Sequence, residues 1–258
     1  TGGNIFTDSV EITNSGSGYL LTGNSMADVF HSATVITNSG TSDIYLCQSS
    51  AGNVFNGPVQ FLNSGSGASN RIFICEGTAT ASAIFNDSIT LSNVSNAASA
   101  YLRFNLRGTC TFNSNIIVNS TGGTGTSSNG IYFGASGYNG TASLADGKHI
   151  LIGNIGFSKG VLSLVQFNKI GLESDSILMG MNSSLVFGPN LVWNGKLTAT
   201  TGGVSFNGAR FSDDVSITKI GSASETSTGG NTFMKEFSLA NNGAGNIVMG
   251  NTLPDVFN

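Results

Sequence analysis

Residues 1–30 and residues 228–257 align without a gap. "TGGNIFTDSVEITNSGSGYLLTGNSMADVF" meets "TGGNTFMKEFSLANNGAGNIVMGNTLPDVF", and thirteen of the thirty positions are identical. Most other apolar positions exchange one apolar residue for another, as in Val10 with Phe237, Ile12 with Leu239, Leu20 with Ile247 and Leu21 with Val248. The offset is 227 residues. Residues 31–257 therefore read as one full long repeat and residues 1–30 as the end of a preceding one, so that the chain is a window on a tandem array. The opening Thr1, in place of Met, adds the expectation of a mature or internal piece of something longer.

A shorter period lies inside the long one. Phe6, Phe30, Phe55, Phe85 and Phe112 follow one another at gaps of 24, 25, 30 and 27 residues, and Phe233 and Phe257 are again 24 apart. After several of them, apolar residues stand four and six positions on, which places them on one face of a strand. Asn follows at the strand's end: Asn14, Asn38, Asn63, Asn93, Asn119 and Asn241. A Gly/Ser turn comes next, then a second apolar run such as "IYLC", "IFIC" or "YLRF". A unit of this size cannot bury its own apolar face, whereas stacked units bury it against one another. The expected fold is all-β, a right-handed parallel β-solenoid of roughly 24–30-residue coils, about ten or eleven of them, with insertions such as "GSGASNR" and "TGGTGTSSNG" in loops. Residues 131–227 keep the strands but blur the Phe period. They read as less regular coils, with a β-sandwich insert as the competing reading.

Gly, Ser, Asn and Thr supply nearly half of the chain, yet Leu, Ile, Val and Phe number 69 of its 258 residues, enough for a core. Charge is sparse, at 10 basic and 14 acidic residues, and no Lys or Arg precedes Arg71. A nucleic-acid partner is therefore not expected, since there is no basic stripe to displace counterions. No apolar run is long enough for a transmembrane helix, and no signal peptide is legible.

No catalytic constellation stands out. The Phe residues form the expected core ladder, and the six Asn residues an expected turn ladder, with amides bonding along the stack and backbone at positive φ. Cys47 and Cys75 occupy matching places in neighbouring coils, as a disulfide or as a row of buried thiols, with Cys110 left over. Neither the Cys spacing nor any GGxGxD run points to zinc or calcium, and no metal or cofactor is expected. His31 and His149 read as surface or turn residues. Asp213–Asp214 is the only acidic doublet, and strand geometry would point its side chains apart, against a sugar-cleaving pair. Asn-x-Ser/Thr at Asn86, Asn93, Asn119, Asn139 and Asn182 is at chance level for this composition. Thr78/Thr80 and Thr198/Thr200 do not make the regular array that ice binding requires.

Units such as "SAGNVFNGPVQFLNSGSG", "GIYFG", "NGTASLADGKHILIGNIGFSKGVLSL" and "GNTLPDVFN" resemble the tandem arrays of giant extracellular proteins of Bacteroidota, over essentially the whole chain. The resemblance implies export by the type IX secretion system and a place on the cell surface or in the medium, as a gliding adhesin or a grappling-hook filament. It also implies O-glycosylation at Asp-Ser/Thr-apolar triplets, matched here by Ser9, Ser88 and Ser176. The expected function is that of a non-enzymatic structural repeat giving length, stiffness and adhesive surface. Its partners would be neighbouring repeats, other copies in a filament, and surface glycans or prey and host cells. The alternative is a carbohydrate-binding or carbohydrate-active β-helix, for which Tyr132, Tyr138 and Trp193 are the scattered aromatic candidates.

Overall fold

A computed structural model describes residues 2–122 and 129–258; positions 123–128 of the "TGGTGTSSNG" insertion lie outside the described residues. The described residues form strands and turns with no helix, and every strand pair is parallel. Strands three apart in sequence are neighbours in space, so each coil contributes one strand to each of three faces. The first face is a continuous 11-stranded sheet from Ile5–Phe6 to Val256–Phe257. The second has six strands, Val10–Asn14 to Ile150–Phe157, followed by four from Asp175–Leu178 to Phe237–Asn241. The third has eight, Leu20–Leu21 to Gly203–Phe206, followed by a pair, Glu225–Thr226 and Ile247–Val248. This is a parallel β-solenoid.

The faces enclose one apolar core, visible where aromatic rings from all three meet. Phe85 on the first face lies 6.3 Å from Phe61 on the second and 6.2 Å from Phe104 on the third, and Phe61 and Phe104 are 5.7 Å apart. The Phe ladder runs up the first face in register. Phe6, Phe30, Phe55, Phe85 and Phe112 are successive partners whose rings stack at 4.5 to 5.1 Å. That separation is close to the spacing of paired strands, so like residues in register are carried into face-to-face contact by the backbone itself.

The ladder continues above it as Leu144, Lys169, Trp193 and Phe211, and returns to Phe233 and Phe257. Residues 131–227 are thus further coils of the same stack, and no antiparallel pair occurs there among the described residues. The Phe period blurs for two local reasons. Other side chains take the Phe position, and on the second face the register slips where Val118 pairs with Ile152 but Ser120 pairs with Phe157. The extra residues loop out, and the second-face sheet breaks before Asp175–Leu178.

The 227-residue duplication extends to atomic detail. The strands Ile5–Phe6, Val10–Asn14, Leu20–Leu21 and Val29–Phe30 recur at that offset as Thr232–Phe233, Phe237–Asn241, Ile247–Val248 and Val256–Phe257. The Asn4 amide and side chain both donate to Asp28 Oδ1 (2.9 and 2.8 Å), as those of Asn231 do to Asp255 Oδ1 (3.0 and 2.7 Å). Asn14 Nδ2 donates to the Gly18 carbonyl, as Asn241 Nδ2 does to that of Gly245.

Candidate functional site on the third face

The polar columns hold the corners together. Asn14, Asn38, Asn63 and Asn93 are in register at the end of the second face and are buried. At the next coil Ser120 takes the position and Asn119 pairs with Ser92 instead, so the structure places Asn119 one residue out of the ladder. Asn241 stands over Lys219 and Thr201 in the upper part of the same face. Most of these amides do not bond to one another. Asn38, Asn63, Asn93 and Asn241 donate to carbonyls of the following corner, and one rung-to-rung bond joins Asn63 to Asn93 at 3.2 Å. Nor do they sit at positive φ, which among non-glycine residues falls on Cys47, Cys75, Asn105 and Asn190. The corner is braced by the side chain, so its backbone need not enter the left-handed region. Lys219 does the same work at an Asn position, its fully buried Nζ donating to Gly221 O at 2.7 Å and Gly245 O at 3.2 Å.

An exposed ladder accompanies the inner one and was not foreseen. Asn56, Asn86 and Asn113 join side chain to side chain at 2.9 and 2.8 Å, with His31 at its lower end. Its signal is the dipeptide Phe-Asn at each of those coils.

Cys47, Cys75 and Cys110 are free and buried. Cys110 is not left over: it joins the row, and Cys75 sits between the other two within hydrogen-bond reach of both. The thiol of Cys47 is pushed up by its hydrogen bond to Cys75 and then by burial, and that of Cys110 by burial and then by its own bond to Cys75. Cys75, toward which Cys110 and Cys47 both donate, is lowered. Among the described residues no group of three or more His, Cys, Asp or Glu could hold a metal ion.

The acidic doublet has basic neighbours after all, brought in by adjacent coils: Lys235 lies 2.8 Å from Asp213 and Lys196 lies 3.7 Å from Asp214. Trp193 is fully buried in the core, and Tyr138 lies under Arg107. The triplet serines stand on the second face. Ser9 and Ser88 immediately precede its strands, whereas Ser176 lies within one, because Asp175 turns into the core at the position that Leu197, Val215 and Phe237 occupy above it.

The third face carries the one surface with chemistry concentrated on it. Inward it presents Ile44, Ile72, Leu102, Ile131, Leu162, Leu185 and Val204 in a single column. Outward, its lower coils carry an aromatic stripe. Tyr45 stacks on Phe73 at 4.9 Å, Phe73 meets Tyr101 edge-on at 5.6 Å, and Tyr101 meets Tyr132 at 5.5 Å. Two bidentate ion pairs lace the stripe: Arg71 with Asp43 (2.9 and 2.5 Å) and Arg103 with Glu76 (2.6 and 2.9 Å). Both guanidinium groups also lie over Phe73 and Tyr101. Burial pushes the Glu76 carboxyl up, against the pull of Arg103.

Above Tyr132 the same outward columns turn small. Tyr101 is followed by Gly130, Val161, Ser184 and Gly203, and Tyr132 by Ser163, Val186 and Ser205. The result is a groove of about 890 Å³ running along the coil axis, with Tyr132 lining one end, Glu225 the other, and Lys159 and Met181 at its side. Gly130 is required there, since at φ 146° a Cβ would stand 2.0 Å from the Val161 carbonyl. Burial holds the Glu225 carboxyl above its ordinary range, with Lys219 opposing. Serine hydroxyls, a phenol and a carboxylate around a trough of this size offer hydrogen bonds to a polyhydroxylated chain. Of the three aromatic candidates, the structure brings only Tyr132 to this groove.

Comparison with protein-family models, with curated proteins and with solved structures gives no match.

Proposed function

We propose that this chain is a structural repeat of an extracellular filament or adhesin, exported to the cell surface or the medium, giving length, stiffness and adhesive surface without enzymatic activity. One observation carries the reading: the same strands, turn glycines and Asn–Asp braces recur after 227 residues with the coil axis unbroken between them. A stack that regenerates its own starting coil can be continued by the next repeat without a new interface. Its partners are then neighbouring repeats, further copies in a filament, and the glycans or cells to which a surface fibre attaches. The resemblance to type IX-secreted arrays of Bacteroidota supports the same placement. Electron cryomicroscopy of native material from the cell surface tests it. Fibres with an axial repeat matching this unit are the expected result, and isolated particles with no axial repeat would overturn it.

A second reading, carbohydrate binding, is favoured by the groove between Tyr132 and Glu225. It is compatible with the first, as the adhesive part of a fibre. Retention of an oligosaccharide by the whole chain, lost when the groove is filled, is its test.

A further inference from the structure

Lys169 interrupts the aromatic ladder between Leu144 and Trp193, and its side chain is fully buried. Its Nζ donates to the carbonyls of Gly171 (3.1 Å) and Glu173 (3.0 Å), and Glu173 Oε2 stands 3.5 Å away. The Trp193 ring centre is 5.9 Å from it. Asp175 Oδ2 lies 3.4 Å from the same nitrogen, on a side chain that is also fully buried. Oδ1 of that carboxyl is held by His149 Nδ1 at 3.1 Å, whereas Oδ2 has no hydrogen-bond partner. As an ion pair this is a poor arrangement. The ammonium's protons are directed at two carbonyls and Glu173, and a buried carboxylate oxygen is left unserved.

We infer that Lys169 and Asp175 become joined by an amide bond between Nζ and Cγ, formed within the folded chain by loss of one water. In a dry, apolar site the charged pair is disfavoured, and a proton passing from Nζ to Oδ2 leaves a neutral amine beside a neutral acid. The Nζ lone pair then attacks Cγ, and the C=O electrons move onto Oδ1, where a proton on His149 Nδ1 faces them. Glu173 Oε2 takes a proton from Nζ and returns it to the departing Oδ2 hydroxyl. The Cγ–Oδ2 bond breaks, Oδ1 regains its double bond, and water leaves. No oxidant or cofactor enters, because the amine and acid are consumed in equal number. The fold supplies the step by holding the two groups in contact. The product removes the unserved oxygen and clamps residues 169–175 into a ring at the corner between the first and second faces.

Intact mass and a tryptic map of the full 258-residue chain test it. The expected mass is one water below that of the sequence. Trypsin should fail to cut after Lys169, releasing residues 160–196 as one peptide that carries the deficit. Asp175→Ala should restore both the full mass and the cut. Asp175→Asn should form the same bond by releasing ammonia, ending at the wild-type mass, and Glu173→Gln should slow closure several-fold in freshly folded protein. A wild-type chain at full mass that is cut after Lys169 overturns the inference. So does a missing water that maps to any peptide still cut after Lys169.

Discussion

The lower and upper halves of the third face share an inside and differ outside. Ile44, Ile72 and Leu102 below and Leu162, Leu185 and Val204 above form one unbroken inner column. Outward, the lower half is covered by Tyr45, Phe73 and Tyr101 with two Arg–carboxylate pairs, and the upper half is hollowed to Val, Ser and Gly. In a strand these two sets alternate along the same backbone, so one can change without the other. The inner set fixes the stack, and the outer set is free to become armour or groove.

That separation is broken most directly from the inside. Leu102→Ala and Leu185→Ala should each cost about 2–5 kcal/mol, by the same mechanism in both halves, since each empties a fully buried site. Tyr101→Ala and Ser184→Ala, one residue before each, should cost far less. Denaturant unfolding of the four variants checks this. If Tyr101→Ala costs as much as Leu102→Ala, the aromatic stripe is part of what holds the lower coils together, and the two halves differ inside as well as out.

The next contrast is electrostatic. Arg103→Leu strips the partner from Glu76, whose carboxyl is largely buried, and should destabilise by about 1.5–3 kcal/mol. Ser163→Leu, which stands two coils above in the same outward column, removes no charge and should be close to neutral. A thermal melt of each variant separates the two.

The inner columns were legible in the sequence because they recur: Phe6 to Phe112 and Asn14 to Asn93 each fall at the same distance from a turn signal. What the sequence did not disclose is whatever the spacing alone cannot weigh. Asn119 keeps its place in the count, but the Val118/Ser120 register slip moves it out of the ladder. Lys169 and Trp193 occupy the Phe position without resembling Phe, so a search for Phe passes them by. The aromatic stripe was written in the same runs as the core, "IYLC", "IFIC" and "YLRF", as their outward alternates. The groove is defined by what is missing from those alternates above Tyr132, and only the register between coils turns scattered Gly and Ser residues into one surface.

A smaller effect concerns acid. Burial raises the carboxyls of Glu76 in the lower half and Glu225 in the upper half above their ordinary value of 4.5. Each therefore holds its proton more tightly in the folded chain than in the unfolded one. The sign follows: stability from these groups is fully present below that ordinary value and is lost as pH rises through the folded one. Glu225→Gln should thus raise stability at neutral pH by less than about 1 kcal/mol, since the groove leaves the group partly open to water, and should flatten the decline between acid and neutral pH. Glu76→Gln should not gain in the same way, because it also removes the charge that Arg103 faces. Melting temperature against pH for both variants distinguishes the open carboxyl from the laced one. Equal gains would mean that the Arg103 pair contributes nothing.

The least change in stability should come from rebuilding the upper half in the image of the lower. Ser184 lies between Val161 and Gly203 in the outward column that Tyr101 occupies below. Ser184→Tyr adds a ring where the lower coils already carry one, over an inner column that stays the same. Unfolding should shift by no more than about 0.5 kcal/mol, the usual range for a surface change. The groove, however, would be filled from its floor, and any oligosaccharide that the wild-type chain retains on a glycan panel should be lost. Retention by wild type and loss in Ser184→Tyr would make the hollowed half the adhesive one. Retention by both would move binding to the aromatic stripe, and retention by neither would leave the two halves as alternative coats on a rod whose work is mechanical.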